Sequence, residues 1–365
     1  MKEILLAHLK QYPQMQLQDV VKLLYQSEFG GGHMITSPEK SLDRLKEEYK
    51  SFKWEYSPII CEPIGGEMYR IYLSALEDGL SEETLNRMFT ETAARASGTR
   101  EGFEEKLRCL LQCCRSGELP FTLAQAEAFL DTYRSQGYPA VRHSSCYRSA
   151  YHPAYRIVSA SYARYYEAFV RIDRALRERM QVQIAIDGMC AAGKSTMGRI
   201  LQSIYSCRLF HMDDFFLQPY QRTADRLSQI GGNVDYERFK KEILDHLNDR
   251  EGLEYQIYSC KAQRLDCRIQ TDWTPLSIIE GSYSQHPFFG DIWDLRFFCE
   301  IDPAEQLNRI RIRNGEAMCK RFKQEWIPKE NAYFDTFGIR EKSICLTDGK
   351  TKNWEKSRVN AKKIK

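Results

Sequence analysis

The sequence has no apolar run approaching the roughly 18 residues that a membrane span needs, which argues against a helical membrane protein. It holds twelve cysteines, but no Cys-x-x-Cys pair, which excludes a zinc ribbon or a small disulfide framework. Cys109 and Cys113 read instead as one face of a helix. An excess of either charge is also lacking, with 53 Lys and Arg against 50 Asp and Glu. A net +3 over 365 residues is too small to imply a nucleic-acid or membrane partner. The first nine residues carry only a three-residue apolar patch, Ile4 to Leu6, so no signal peptide is expected. A cytoplasmic protein with reduced thiols is the reading these absences leave. There is no internal repeat.

Hydrophobic residues make up 42% and charged residues 28%, the proportions of a globular chain rather than a disordered one. A length of 365 residues exceeds one typical domain. Three segments are expected: an all-helical domain over residues 1–175, an α/β domain over 181–348, and a Lys-rich, apolar-poor tail over 349–365. Helical periodicity marks residues 16–26, 41–49, 81–92, 101–114 and 123–135. No strand is predicted before residue 180, and residues 155–180 read as one long helix. From residue 181 the pattern changes. Apolar, β-branched runs at 182–186, 208–212, 276–279 and 295–301 alternate with helical stretches at 195–203, 235–248 and 303–313. That alternation predicts a parallel sheet with crossover helices.

Between the first run and the first of these helices stands Gly188-Met189-Cys190-Ala191-Ala192-Gly193-Lys194-Ser195, followed by Thr196. It fits G-x-x-x-x-G-K-[ST] in the strand–loop–helix context that gives the motif meaning. Glycines let the loop wrap so that backbone N–H groups face phosphate oxygens, and the helix N-terminus adds a positive dipole end. Lys194 would bridge β- and γ-phosphates, and Ser195 would offer its hydroxyl to Mg²⁺. The cofactors expected are therefore ATP and Mg²⁺. The Asn-Lys-x-Asp motif of GTPases and the Leu-Ser-Gly-Gly signature of transporter ATPases are both absent.

Ligands of open α/β sheets sit at the carboxyl ends of strands. Phe210-His211-Met212-Asp213-Asp214-Phe215-Phe216 ends the second run. One of its two adjacent carboxylates, Asp213 or Asp214, could accept the proton of an attacking hydroxyl while the other organises Mg²⁺. The same pair also reads as a solvated turn. Glu280 ends the third run, in the position of a metal-holding carboxylate, or as a helix cap. Arg309, Arg311 and Arg313 follow, and at helical spacing Arg309 and Arg313 share a face. They fit a lid that grips phosphate, or an exposed cationic face.

These residues together resemble the uridine kinase family, and more loosely pantothenate kinase and phosphoribulokinase, over roughly residues 182–315. The resemblance implies an α/β P-loop NTPase fold and ATP-dependent phosphorylation of a hydroxyl. It places the catalytic base on Asp213, the acceptor-binding Asn-x-Asp segment on Asn233 and Asp235, the magnesium-site glutamate on Glu280, and the lid arginines on Arg309 and Arg313. The nucleobase-reading segment falls on residues 255–261, with Tyr258 as its aromatic and no histidine. Asp214 stands where the family has Ser, and Asn314 where it has Asp. The donor half of the site carries over and the acceptor half does not.

No family is recognised in residues 1–175. Residues 133–171 hold eight tyrosines among arginines, with His143 and His152. Packing, a phosphate site and stacking on single-stranded nucleic acid are all compatible with that composition. His33, after three glycines, reads as a turn residue or a catalytic one. The expected function is a small-molecule kinase with a nucleoside-like hydroxyl acceptor. Its alternatives are an ATP-sensing module and a kinase of nucleic-acid ends.

Overall fold

Three short strands interrupt the helices of the first half, where helices alone were expected. β1 (Cys61–Gly65), β2 (Met68–Tyr72) and β3 (Tyr155–Ser159) form an antiparallel sheet in that order. The all-helical domain is thereby corrected to a mixed one. So is the long helix at 155–180: β3 leads into two helices, Ala160–Arg164 and Tyr166–Glu178. The reason lies in what the strands bury. Glu62, Arg70 and Arg156 are buried, so polar letters stand where a strand's alternation should read apolar. Arg70 donates to Glu62 Oε1 at 3.1 Å and to Gln26 Oε1 at 2.8 Å. The Tyr12 and Tyr72 hydroxyls donate to the same Glu62 carboxylate at 2.8 and 2.7 Å. A buried charge is tolerable only when paired and hydrogen-bonded in this way.

The computed structural model describes residues 1–51 and 59–347; the expected tail at 349–365 lies outside them. The chain divides into two units, Met1–Tyr166 and a second starting at Glu167. In the first, helices Leu17–Phe29, Pro38–Ser51, Glu82–Arg95, Arg100–Arg115 and Leu123–Ser135 fall where periodicity placed them. Ser81 caps one of them, accepting from the Thr84 N–H at 3.0 Å, as its position before two acids implies. Within residues 133–166, Tyr133, Tyr147, Tyr155, Tyr162, Tyr165 and Tyr166 are buried as core. Arg134 pairs with Glu104, and Arg156 with Glu48.

The second unit is built on a five-stranded parallel sheet flanked by helices. In chain order its strands are β4 (Val182–Gly188), β5 (Cys207–His211), β6 (Leu253–Ser259), β7 (Arg264–Thr271), β8 (Leu276–Glu280), β9 (Leu295–Glu300) and β10 (Ile344–Thr347). The sheet order is β10-β9-β4-β8-β5, every pair parallel, while β6 and β7 form a separate antiparallel hairpin. β4 lies at the centre and its apolar side chains are buried, hence a nearly continuous hydrophobic run over 182–186, broken only by Gln183. Register decides where function can sit. Glu280 at the end of β8 stands opposite Ile186 of β4 and His211 of β5. The P-loop, the residues after β5 and Glu280 therefore emerge at one edge. The hairpin and β10 were not anticipated.

Candidate nucleotide and phosphotransfer site

The P-loop leaves β4 at Gly188, whose φ is +131°. A side chain there would place its Cβ 2.2 Å from the Cys299 carbonyl oxygen, so only glycine allows the loop to turn against β9. Helix Lys194–Ile204 starts at once after Gly193. Its N-terminus and the loop residues Cys190, Ala191, Gly193, Lys194, Ser195 and Thr196 face a cavity of about 1110 Å³. Gly188, Met189 and Ala192 are not part of that lining. Lys194 Nζ donates to the Gly188 and Met189 carbonyls at 2.7 and 3.1 Å. Burial works to lower its pKa, but the charges of Glu330 and Asp187 outweigh burial and raise it. Lys194 is thus held cationic at the loop.

Asp213 lines the same cavity. It sits in a 3₁₀ turn, Met212–Phe215, directly after β5. Asp213 is exposed towards the open cavity, and the wall around it strips part of its hydration. That desolvation raises its pKa. Lys194 and His211 act against the rise, and Glu280 and Glu330 add to it. Glu280 also lines the cavity and is bound by the Nδ1 of His211. The hydrogen bond to Glu280 raises the His211 pKa against the effect of burial. Asp214 is outside the lining. Its carboxyl pKa is raised by burial, and its carbonyl accepts from Arg238 at 2.7 Å.

Arg309 and Arg313 both reach the cavity. Arg309 pairs with Glu305 at 2.9 Å, and Arg313 Nε donates to Asn314 Oδ1 at 2.8 Å. Their helix, Pro303–Arg321, breaks at Gly315 (φ +80°, ψ +170°). A helix cannot continue through that conformation, so the two arginines and Arg321 lie on separate segments that line one space. Arg311 pairs with Glu316 and is not among the lining residues.

The acceptor residues divide. Asn233 lines the cavity and Asp235 does not. Asp235 is buried and caps the helix Tyr236–Glu242. One of its oxygens accepts from the Arg238 N–H at 3.1 Å, the other from Gln221 at 3.0 Å. Tyr258 is buried behind the wall, and its hydroxyl accepts from Arg222 at 2.6 Å.

Several solved chains are similar, these two among them. One, described as a possible uridine kinase from Bacillus stearothermophilus, aligns with 50% of this chain and 100% of its own, at 18% identity and a TM-score of 0.38. The other, of the YGR205w protein, aligns with 50% of this chain and 94% of its own, at 13% identity and a TM-score of 0.36. Similarity at this distance carries no information about substrate. No known protein family matches the sequence, and no curated protein does.

The cavity also contains residues that motif reading did not assign. Arg222, Gln263 and Cys260 come from the segment after β5 and the hairpin turn. Glu325, Trp326, Lys329 and Glu330 come from the region of Phe322–Trp326 and helix Ile327–Phe337. That region contributes both to the cavity lining and to the core. Tyr333 and Phe334, further along the helix, are buried. Glu330 is also buried, yet lines the cavity. It accepts from the Cys190 N–H at 3.0 Å and from the Ser282 hydroxyl at 2.6 Å. The only sequence signal for it was a dense patch of charged and aromatic residues.

The donor set suits a hard divalent cation. Ser195, Asp213 and Glu280 present oxygen to the cavity. Among the described residues no group of three or more His, Cys, Asp or Glu forms a metal cage. Mg²⁺ typically uses one or two carboxylates and completes its shell with water and substrate phosphates. No helix among the described residues is long and apolar enough to cross a membrane.

Proposed function

We propose that the second unit transfers the γ-phosphoryl group of ATP to a hydroxyl of a small, nucleoside-like metabolite. The observation that supports this most is Asp213 in the same cavity as Lys194 and the N-terminus of helix Lys194–Ile204. A module that only senses ATP has no use for a carboxylate facing the acceptor side. The cavity volume, about 1110 Å³, exceeds the roughly 300–1,000 Å³ of a pocket for one small ligand, leaving room for donor and acceptor together.

In this reading the loop amides and Lys194 hold the triphosphate. Ser195 and Glu280 would hold Mg²⁺, which supplies charge neutralisation on the phosphate oxygens when bound. Asp213 accepts the acceptor proton as the hydroxyl oxygen attacks in line. Its raised pKa makes it a better base than an ordinary carboxylate. Arg309 and Arg313 offset the negative charge that develops on the transferred group.

A panel of nucleosides, sugars and vitamins, assayed for ADP release with ATP and Mg²⁺, tests the reading. One acceptor should stimulate release well above the background. Slow hydrolysis that no acceptor stimulates would contradict it.

A further inference from the structure

We infer that Glu330 is a specificity-determining residue for the acceptor: its carboxylate, at the border of the phosphate loop, accepts hydrogen bonds from acceptor hydroxyls. The inference rests on the kinase reading above and names the recognising group within that site. Three observations carry it. First, the buried carboxylate at Asp235 is committed to Arg238 and Gln221 and lies outside the cavity, so it is closed to a ligand in this geometry. Second, Glu330 is only 7% exposed and what is exposed faces the cavity. A buried carboxylate without a bidentate cation partner is costly unless its lone pairs are used. Third, those lone pairs are only partly used. Cys190 N–H and the Ser282 hydroxyl each take one, and the Cys190 thiol is a weaker third donor. A carboxylate offers about four acceptor positions, so capacity remains on the cavity side.

The location fits recognition next to the reacting hydroxyl. Cys190 is the third residue of the loop, and its N–H is spent on Glu330 rather than left for phosphate. Glu330 therefore marks where the phosphate cradle ends. Its charge acts on Asp213 as well as on Lys194, so it stands within electrostatic reach of both the base and the phosphate lysine. An acidic acceptor group is disfavoured beside it, and a hydroxyl-rich neutral acceptor is favoured. A site built to accept from a hydroxyl discriminates strongly against the analogue that lacks it.

Glu330→Gln separates this role from mere support of the loop. The glutamine oxygen still accepts from Cys190 N–H and its amide can donate to Ser282, while charge and spare acceptor capacity are lost. The probes are uridine and adenosine, each with its 2′-deoxy and 3′-deoxy analogue, in the full-length protein. ATP affinity, measured without acceptor, should not fall, because Asp187 still holds Lys194 cationic and an anion beside the phosphates has been removed. KM for the hydroxylated acceptor should rise on the order of tenfold or more, and the gap between it and its deoxy analogue should shrink. Glu330→Asp should restore part of that gap. A fall in ATP affinity with acceptor KM and the deoxy gap unchanged would overturn the assignment and leave the kinase reading standing. Release of ADP stimulated by none of these probes or the wider panel would overturn both.

Discussion

The Tyr333 hydroxyl donates to the Asp187 carboxylate at 2.8 Å, joining residues 146 apart in the chain. Both are fully buried. The same carboxylate accepts from the Gly188 and Gln285 N–H groups at 2.8 and 3.1 Å. One buried acid therefore ties the start of the P-loop to helix Ile327–Phe337. Tyr333→Phe removes a donor and leaves the ring. It should destabilise the second unit by about 1–3 kcal/mol, the cost of a lost hydrogen bond to a buried charged group. Urea unfolding followed by a probe in that unit measures it.

Asp187 also makes stability depend on pH. Burial pushes its pKa up to about 6 from 3.8, against the lowering pull of Lys194 and its hydrogen-bond donors. Between those values the folded state binds the proton more tightly than the unfolded one. Stability should therefore fall as pH rises from about 4 to 6, by roughly 3 kcal/mol at this position, and stay low above that window. Asp187→Asn cannot titrate. The stability of wild type relative to this variant, measured at pH 4 and pH 7, should decline with rising pH.

In the first unit, Arg70 is 1% exposed and is the cation for Glu62. Arg70→Met leaves that carboxylate buried without its counter-charge. The expected loss is about 3–5 kcal/mol. Replacing Arg70 and Glu62 together by apolar residues should cost less than the single change, and a denaturation series on the three variants checks this.

The lid arginines have a control on their own helix. Arg309→Ala and Arg313→Ala should each lower kcat on the order of 10²-fold, as expected for a group that stabilises developing charge. Arg311→Ala should change kcat less than about twofold, because Arg311 is paired with Glu316 away from the cavity, and surface ion pairs contribute little. Steady-state kinetics with saturating ATP compares them.

Legibility in the sequence followed from how local each feature is. The P-loop was readable because its glycines, its lysine and the flanking β4 and helix Lys194–Ile204 are contiguous. The end of β8 was readable because a strand buried along its whole length is a nearly unbroken apolar run, and the end of β5 because its short run stops at the carboxylate pair Asp213-Asp214. β1, β2 and β3 were hidden, since Glu62, Arg70 and Arg156 are buried as a polar network rather than exposed. The Gly65-Gly66 turn, with positive φ at both, was the one available hairpin signal. Asp235 shows the limit of motif transfer. The letter is in place, but its side chain caps a helix. Glu330 had no motif at all, because its partner Cys190 lies 140 residues away.

The most direct measurement is on Asp213→Asn, with nucleotide binding and acceptor-stimulated ADP release followed on the same preparation. The variant should bind ATP with Mg²⁺ about as wild type does, since Lys194 and the loop are intact. Stimulated release should fall by roughly 10²- to 10⁴-fold, the contribution of a general base. Turnover at the wild-type rate would remove Asp213 from the chemistry and contradict the account.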